Sequence, residues 1–373
     1  MAVLCWMAVT LGLLFSAGNS LADVDQNQLA RIVNEVLNRY RPSYMGNNGH
    51  RRYPMFSLAV SIPYNSDKKM YDISKVIDSA DQVKNTILRC EVYTGTRVVA
   101  ATVLRWPNVL DQCPDERVQW PQVLRKCPKR VITWANVKEQ CPDAVNNGTA
   151  DHAEYRTLQH FNTLTRNLSK TDLLLFYVLS SPCDARCTNE SNRRSILDSI
   201  NQILIWSNYA VVFSNVFIPV NGKCIPEENL RGALERLGTH KGSLGSIGLR
   251  NIFRCDADDV DRRCAVQCTS CSTGNQVTRY CYTNDSSPRY SNNLPSTSFI
   301  QPQCGKSDST QVQRQKNNIN TRAGDFTNVD SNTEGVVGQG GSGRRGGEKA
   351  EVGVNTEELA GGEEEGEEED SAG

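Results

Sequence analysis

The sequence predicts an α/β protein in which helices pack against a layered sheet. Apolar residues recur with a helical period over residues 29–40 and alternate as in a strand over residues 56–62. Near residue 226 a helix-patterned segment lies between two strand-patterned segments. Antiparallel neighbours can be joined by a tight turn, whereas parallel neighbours need a long crossover. We therefore expect the last two strands to be parallel.

Five strands and their flanking helices are predicted along the chain. The strands cover residues 56–62, 98–104, 172–179, 209–218 and 246–253. The helices cover residues 29–40, 153–164, 193–206 and 226–238. Pro226 near the start and Gly238 at the end mark the last helix. The order is a strand pair followed by β-α units, with an interruption between the second and third strands.

The two ends of the chain differ from its body. Residues 1–22 carry no charged side chain and hold a short apolar run, which is typical of a secretory signal peptide and too short to span a bilayer. Residues 305–373 are rich in Gly and Glu and too poor in apolar residues to fold, so we expect a disordered acidic tail. Sequons at four positions agree with a glycosylating compartment. They are Asn147, Asn167, Asn189 and Asn284. We expect a secreted, extracellular protein with no membrane span.

Cysteines and charge divide the rest of the chain. Of the 14 cysteines, Cys5 belongs to the predicted signal peptide, and the remaining odd number is typical of a disulfide-bonded secreted protein with at least one cysteine in another role. Residues 23–254 form the expected main domain, and residues 255–304 form an expected Cys-rich extension with six cysteines. Residues 23–304 carry 34 basic and 27 acidic side chains. This excess suits a polyanionic partner but is also ordinary for a secreted domain.

Residues 105–150, the Trp/Cys insertion, contain a repeat of three 14-residue units. Each unit has a tryptophan, a valine three residues later and a Cys-Pro pair that begins seven residues later. Positions i, i+3 and i+7 share one helical face, so each unit predicts a two-turn helix that ends before the proline. The tryptophans are Trp106, Trp120 and Trp134. Two roles stay open: a disulfide-stapled insertion that shields the domain edge, and a surface on which nucleic-acid bases stack.

Four residues form the pattern that carries chemistry. His152 and Glu154 stand at the predicted start of a helix, and Cys183 and Cys187 follow Pro182 after a buried strand. A catalytic zinc uses three nitrogen or thiolate ligands and leaves its fourth position to water. One histidine and two cysteines supply such a set, and a nearby carboxylate can move protons. The cysteine spacing and the proline predict a helix start. In a secreted chain the two cysteines could instead form a disulfide.

The order H-x-E followed by P-C-x-x-C is a signature of zinc-dependent deaminases, and this chain differs from it only in the longer spacing C-x-x-x-C. The chain resembles the zinc-dependent cytidine deaminase superfamily and is most similar to the secreted AID/APOBEC-like deaminases of fish. The resemblance implies a cytidine-deaminase-like three-layer fold with a central mixed five-stranded sheet. It implies Zn²⁺ bound by His152, Cys183 and Cys187, with Glu154 as the catalytic proton shuttle, and a role in immune defence.

The resemblance also implies a reaction, the deamination of cytosine to uracil in single-stranded nucleic acid or in a nucleoside. AID/APOBEC enzymes line the base pocket with a tryptophan where this chain has Ser180. The helix between the last two strands resembles the nucleic-acid deaminases rather than the compact nucleoside enzymes. The alternative is a non-catalytic secreted protein that binds a polyanion or nucleic acid on a deaminase scaffold.

Overall fold

A mixed sheet of seven strands forms the centre of the computed structural model, which describes residues 25–167, 169–218, 225–256 and 266–283. In chain order the strands are β1 Phe56–Ile62, β2 Tyr93–Thr94, β3 Val98–Thr102, β4 Leu173–Ser180, β5 Asn208–Asn215, β6 Ile252–Asp256 and β7 Gln267–Ser270. Their order across the sheet is β7-β6-β5-β4-β1-β3-β2. The pairs β4–β5 and β5–β6 are parallel, and the other neighbours are antiparallel. The predicted parallel pairing of the last two strands is confirmed.

The predicted count of five strands is not confirmed, because the described sheet has seven. Strands β1, β3, β4, β5 and β6 correspond to the five predicted ones, and β2 and β7 add one edge strand on each side. β2 has only two residues, and β7 lies in the Cys-rich extension, so neither shows an apolar period in the sequence. β6 also begins later than predicted, because residues Leu249–Asn251 form a 3-10 turn.

Helices cover both faces of the sheet. They are α1 Gln26–Tyr40, α2 Ala80–Leu88, α3 Val109–Gln112, α4 Pro121–Leu124, α5 Trp134–Gln140, α6 Ala153–Leu158 and α7 Glu227–Thr239. Successive residues of β1 point to opposite faces. Leu58 therefore joins the core that α1 and α2 cover, and Ala59 joins the core that α6 and α7 cover. The result is an α/β arrangement with helices on both faces.

Two predicted helices are shorter or tighter than expected. α6 ends at Leu158, and the chain continues as a 3-10 helix over Phe161–Asn167. The segment predicted as a helix over residues 193–206 forms a 3-10 helix over Ser199–Ile205. Both segments still bury apolar side chains against the sheet, among them Phe161 and Ile203. The apolar pattern thus identified the buried face correctly but not the helix type.

A separate apolar cluster holds the Trp/Cys insertion together. Trp106, Trp120 and Trp134 are all buried in it, and the last two rings meet edge to face with centroids 5.0 Å apart. Disulfides link Cys90 to Cys113 and Cys127 to Cys141. The disulfide-stapled role is supported, since the buried tryptophans offer no surface for base stacking.

One of the three repeat units forms a longer helix than the others. α5 has seven residues, whereas α3 and α4 have four each. Thr133 and Asn136 form a reciprocal capping box at the start of α5, in which each side chain accepts a hydrogen bond from the other residue's amide. The equivalent positions of the other units hold Arg105 and Gln119, which are poor helix caps. Neither Asn108 nor Trp120, the N-cap residues of α3 and α4, forms a side-chain hydrogen bond to its helix, so the longest of the three helices is the one with a cap.

Two further disulfides lie at the end of the described chain. Cys255 and Cys268 link β6 to β7, and Cys271 bonds to Cys281. The predicted signal peptide, with Cys5, and the acidic tail lie outside the described residues, as do three further cysteines. These are Cys224, Cys264 and Cys304. Within the described ranges, no helix is long and apolar enough to cross a membrane.

Candidate metal centre and its cleft

A cleft of about 990 Å³ opens beside the carboxyl end of β4. His152, Glu154 and Cys183 line its inner part, and Cys187 is buried directly behind them. Residues from the hairpin before β1, from the Trp/Cys insertion and from the chain after β5 form its walls. The fold thus brings together all four side chains that the sequence singled out.

His152 occupies the N-cap position of α6. The preceding residues Ala150–Asp151 form a short antiparallel ribbon with Leu104–Arg105, which fixes the main chain that leads into the helix. The Nδ1 atom of His152 lies 3.1 Å from Sγ of Cys187 and 3.6 Å from Sγ of Cys183. The imidazole therefore presents one ring nitrogen to both sulfurs.

The two cysteines lie on a turn, not on the predicted helix. The Ser181 amide bonds to the carbonyl of Asn215 at the end of β5, and the chain then turns over the next residues. The Thr188 amide reaches back five residues to the Cys183 carbonyl at 3.2 Å, wider than the four-residue step of an α-helix. This turn brings the two sulfurs to 3.2 Å, with neither cysteine in a disulfide.

Glu154 lies in the first turn of α6 and is only 4% exposed. Its Oε1 atom is 3.6 Å from Sγ of Cys187, so the carboxyl group lies against the cysteine–histidine group and faces the cleft. Burial raises the pKa of the Glu154 carboxyl, and the nearby His152 opposes this only in part. A carboxyl group with a raised pKa can both accept and release a proton near neutral pH.

Close packing shifts the pKa values of the cysteines and the histidine. Hydrogen bonding with Cys187 lowers the pKa of the Cys183 thiol to about 4 despite its burial, and contact with His152 adds to the effect. The same sulfur–sulfur contact, together with burial, raises the pKa of Cys187. Burial disfavours the charged imidazole, but the hydrogen bond to Cys183 and the charge of Glu154 give a net raised pKa for His152. Cys183 thus readily becomes a thiolate, which is the form in which a cysteine binds a metal.

The three donor atoms fit a zinc ion. They lie within 4.8 Å of one another, and the group combines one imidazole with two sulfurs. Tetrahedral zinc with bonds of about 2.3 Å to sulfur and about 2.0–2.1 Å to nitrogen holds its ligand atoms roughly 3.5–3.8 Å apart. The three observed separations run from 3.1 to 3.6 Å, so shifts of about half an ångström would admit the ion.

One wall of the cleft is a hairpin that was not predicted from the sequence. Its strands, Tyr44–Met45 and Arg51–Arg52, precede β1. The Tyr53 ring that follows is 47% exposed and lines the cleft, with the guanidinium carbon of Arg41 at 4.5 Å from the ring centroid. The run Arg51-Arg52-Tyr53 places basic and aromatic residues side by side, which is the signal that could have indicated this wall.

Other residues make the cleft basic. Arg105 and Arg186 line it, and in the described part of the chain neither forms an ion pair with a carboxylate. Arg52 also lines it but pairs with Asp111 of the insertion at 3.0 Å. Ser180, at the position of the pocket tryptophan of AID/APOBEC enzymes, lies with its Oγ 3.5 Å from the Met55 sulfur.

Comparisons with known proteins agree with this geometry. No curated protein and no solved structure gives a significant match to the chain. Residues 136–285 match a protein family described as Secreted Novel AID/APOBEC-like Deaminase 1. The matched range contains His152, Glu154, Cys183 and Cys187, so the part of the chain that carries the candidate metal centre is similar to the AID/APOBEC-like deaminases.

Proposed function

We propose that the protein is a secreted zinc-dependent hydrolase that deaminates cytosine to uracil in single-stranded nucleic acid or in a nucleoside. One observation supports the proposal above the others: an imidazole nitrogen and two free thiols converge at the inner end of an open cleft, with a buried carboxyl group in contact with them. In the proposal, His152, Cys183 and Cys187 hold the metal, and Glu154 carries the protons.

The residues of this chain divide the chemistry between them. Zinc, when bound, supplies a Lewis acid that activates water at neutral pH. Glu154 accepts a proton of the attacking water and delivers it to the departing amine, so that the oxygen of water becomes the ring carbonyl and the amino group leaves as ammonia. The raised pKa of Glu154 suits both steps, because the same carboxyl group must take up and release a proton in each cycle.

The cleft favours a polymeric substrate over a free nucleoside. Arg105 and Arg186 place two positive charges at its lining that no carboxylate of the described residues neutralises. The half-exposed Tyr53 offers one ring face, since the Arg41 guanidinium lies over the ring. Basic groups that contact phosphates and an aromatic ring that stacks with a base are the common elements of single-strand binding. Neither element is needed to hold a nucleoside without phosphates.

Binding without catalysis is the second candidate function. It is favoured by Ser180, which stands in the sequence where the AID/APOBEC enzymes carry their pocket tryptophan and bonds to the Met55 sulfur instead. The tryptophan repeats no longer support it, since all three rings are buried. In this case the basic cleft would bind a nucleic acid and release it unchanged.

Zinc-loaded protein made through a secretory pathway tests the two candidates. Cytidine, adenosine and cytosine-containing single-stranded oligonucleotides are each incubated with the protein, and uracil or inosine is measured by mass spectrometry. We expect uracil from the oligonucleotide, and a loss of turnover of about 10²-fold or more in Glu154→Gln with unchanged zinc content. Oligonucleotide binding without uracil would favour the second candidate. Absence of stoichiometric zinc, or zinc retained fully in Cys183→Ser, would exclude the proposed metal centre.

Paired arginine variants test the substrate class. We expect Arg105→Gln with Arg186→Gln to weaken oligonucleotide binding and to flatten its salt dependence, because each contact with a phosphate releases counterions. The matched control is Arg125→Gln with Arg130→Gln, which removes two exposed charges of the Trp/Cys insertion outside the cleft lining. Equal effects of the two pairs would contradict a nucleic-acid path through the cleft.

A further inference from the structure

The Trp/Cys insertion contacts the candidate metal centre through two neighbouring residues, Gln119 and Trp120. The indole Nε1 of Trp120 donates a hydrogen bond of 2.6 Å to Oδ2 of Asp151. The side-chain oxygen of Gln119 accepts a hydrogen bond of 2.8 Å from Arg156. Asp151 and Arg156 flank the two site residues at the start of α6. The insertion therefore holds that short segment at both ends.

The Asp151 carboxylate also contacts the cysteine side of the centre. Nε of Arg194 lies 2.6 Å from Asp151 Oδ1, as an ion pair without the alignment of a hydrogen bond. Arg194 belongs to a segment that folds back on the cysteine turn, where the Ile196 amide donates to the Cys187 carbonyl at 2.8 Å. The Asp151 side chain is only 15% exposed. The carboxylate of Asp151, the residue before His152, thus connects the insertion to the segment after Cys187.

The histidine ring gains its orientation from the main chain. Metal-bound histidines are ordinarily oriented by a hydrogen bond from the second ring nitrogen to a carboxylate or carbonyl. Here Nδ1 of His152 faces the sulfurs, and in the described part of the chain no hydrogen bond reaches Nε2. The position of the ring then depends on how firmly its own segment is held. The Asp151 carboxylate, one residue away, supplies two of the contacts that hold it.

We propose that Asp151 is a positioning residue of the metal centre, and that the Trp120–Asp151–Arg194 bridge lets the Trp/Cys insertion set the affinity of the centre for zinc. This inference rests on the proposed function, because it requires that His152, Cys183 and Cys187 bind zinc. It assigns the insertion a role beyond shielding the domain edge. It also separates Trp120 from the other two tryptophans of the repeat, which occupy the same sequence position.

The repeat itself provides a matched pair of variants. Trp120→Phe removes the indole N–H that bonds to Asp151, whereas Trp134→Phe removes an N–H that has no hydrogen-bond partner among the described residues. Both rings are buried in the same apolar cluster, so the loss of packing is similar. Zinc affinity is measured by competition with a chromophoric chelator. We expect Trp120→Phe and Asp151→Asn to weaken zinc binding about ten-fold or more, and Trp134→Phe to leave it within about two-fold of the parent.

A second pair separates positioning from stability. Asp172→Asn weakens the more deeply buried contact with Arg97 at the opposite end of β4, where Nη1 lies 2.6 Å from the carboxylate. We expect it to lower the unfolding temperature of the zinc-free protein without changing zinc affinity. If Trp120→Phe does not fold, Arg194→Gln tests the same bridge, because the Arg194 side chain is 36% exposed and its replacement should not prevent folding. We expect Arg194→Gln to weaken zinc binding. Equal zinc affinity in Trp120→Phe and Trp134→Phe, or equal losses in Asp151→Asn and Asp172→Asn, would overturn the inference alone. A parent protein that binds no zinc would overturn both the inference and the proposed function.

Discussion

Replacement of Arg156 by methionine removes a positive charge that the fold buries next to the candidate metal centre. The Arg156 side chain is 7% exposed and lies on α6. Nη1 donates to the Thr102 carbonyl at 2.6 Å, and Nη2 donates to the Cys90 carbonyl at 2.6 Å and to Gln119 at 2.8 Å. Methionine fills a similar volume but donates to none of these oxygens. The Thr102 carbonyl and the Gln119 side chain would therefore lose this donor, while the Cys90 carbonyl would keep only the hydrogen bond from Gln119 Nε2.

The expected loss of stability follows from two opposing contributions. Hydrogen bonds from a charged donor contribute about 2 kcal/mol each, or about 6 kcal/mol for three. Burial lowers the pKa of the Arg156 guanidinium from 12.5 to about 10. That shift means that the charged form loses about 3 kcal/mol in the fold, a cost that methionine does not have. We expect a net loss of about 3 kcal/mol in the free energy of unfolding, or roughly 6–12 °C in the unfolding temperature.

Thermal and urea unfolding of the parent, Arg156→Met and Arg156→Lys test this value. The lysine variant keeps a charge but not the planar fork, so we expect it to fall between the other two. A double-mutant cycle with Gln119→Met isolates the contact with the insertion, for which we expect a coupling energy of about 1 kcal/mol. An Arg156→Met variant as stable as the parent would refute the reasoning, since it would mean that the buried charge costs as much as its hydrogen bonds contribute.

Three further outcomes are expected. Replacement of both Cys127 and Cys141 by serine should lower the free energy of unfolding by about 3 kcal/mol, because their disulfide closes a loop over a separation of 14 residues; an unchanged midpoint in urea would contradict this. Burial raises the pKa of Tyr40 and of Tyr177 from 10.0 to about 12, so between pH 10 and 12 the folded chain binds more protons than the unfolded chain and its stability falls as the pH rises. If the difference in phenolate absorbance between the parent and Tyr177→Phe rises well before circular dichroism is lost, this prediction is wrong. Asn189 is exposed on the cysteine turn, so Asn189→Gln should remove one glycan by mass spectrometry without altering zinc affinity, and an unchanged mass would show that the site is unused.

The sheet and the convergence of the candidate site could be predicted because their signals are local and chemical. Runs such as residues 172–179 are apolar on both faces, as a central strand requires, and the structure buries this strand between β1 and β5. His152, Glu154 and the two cysteines were recognisable because few chemistries need those side chains in that order. The fold brings their functional atoms together, as the pattern implied.

The cysteine turn, the two edge strands and the contact of Trp120 with Asp151 depend on contacts between distant parts of the chain, which no local sequence pattern encodes. A separation of four residues fits one helical turn and also fits the wider turn that Cys183 and Cys187 adopt, so spacing alone could not distinguish them. The two edge strands are too short or too irregular to show a period. Trp120 and Trp134 are equivalent in sequence, yet only the first finds a carboxylate, because Asp151 reaches it from a separate part of the chain.

The four described disulfides each close a short loop of the chain. They join cysteines 10 to 23 residues apart. The central pair β1 and β4, in contrast, brings together residues such as Ser61 and Asp172, which are 111 residues apart. The entropy of closing that long loop must be offset by burial of the sheet, and oxidation of nearby cysteines does little to reduce it. We therefore expect disulfide formation to stiffen individual loops and to do little to speed the pairing of β1 with β4.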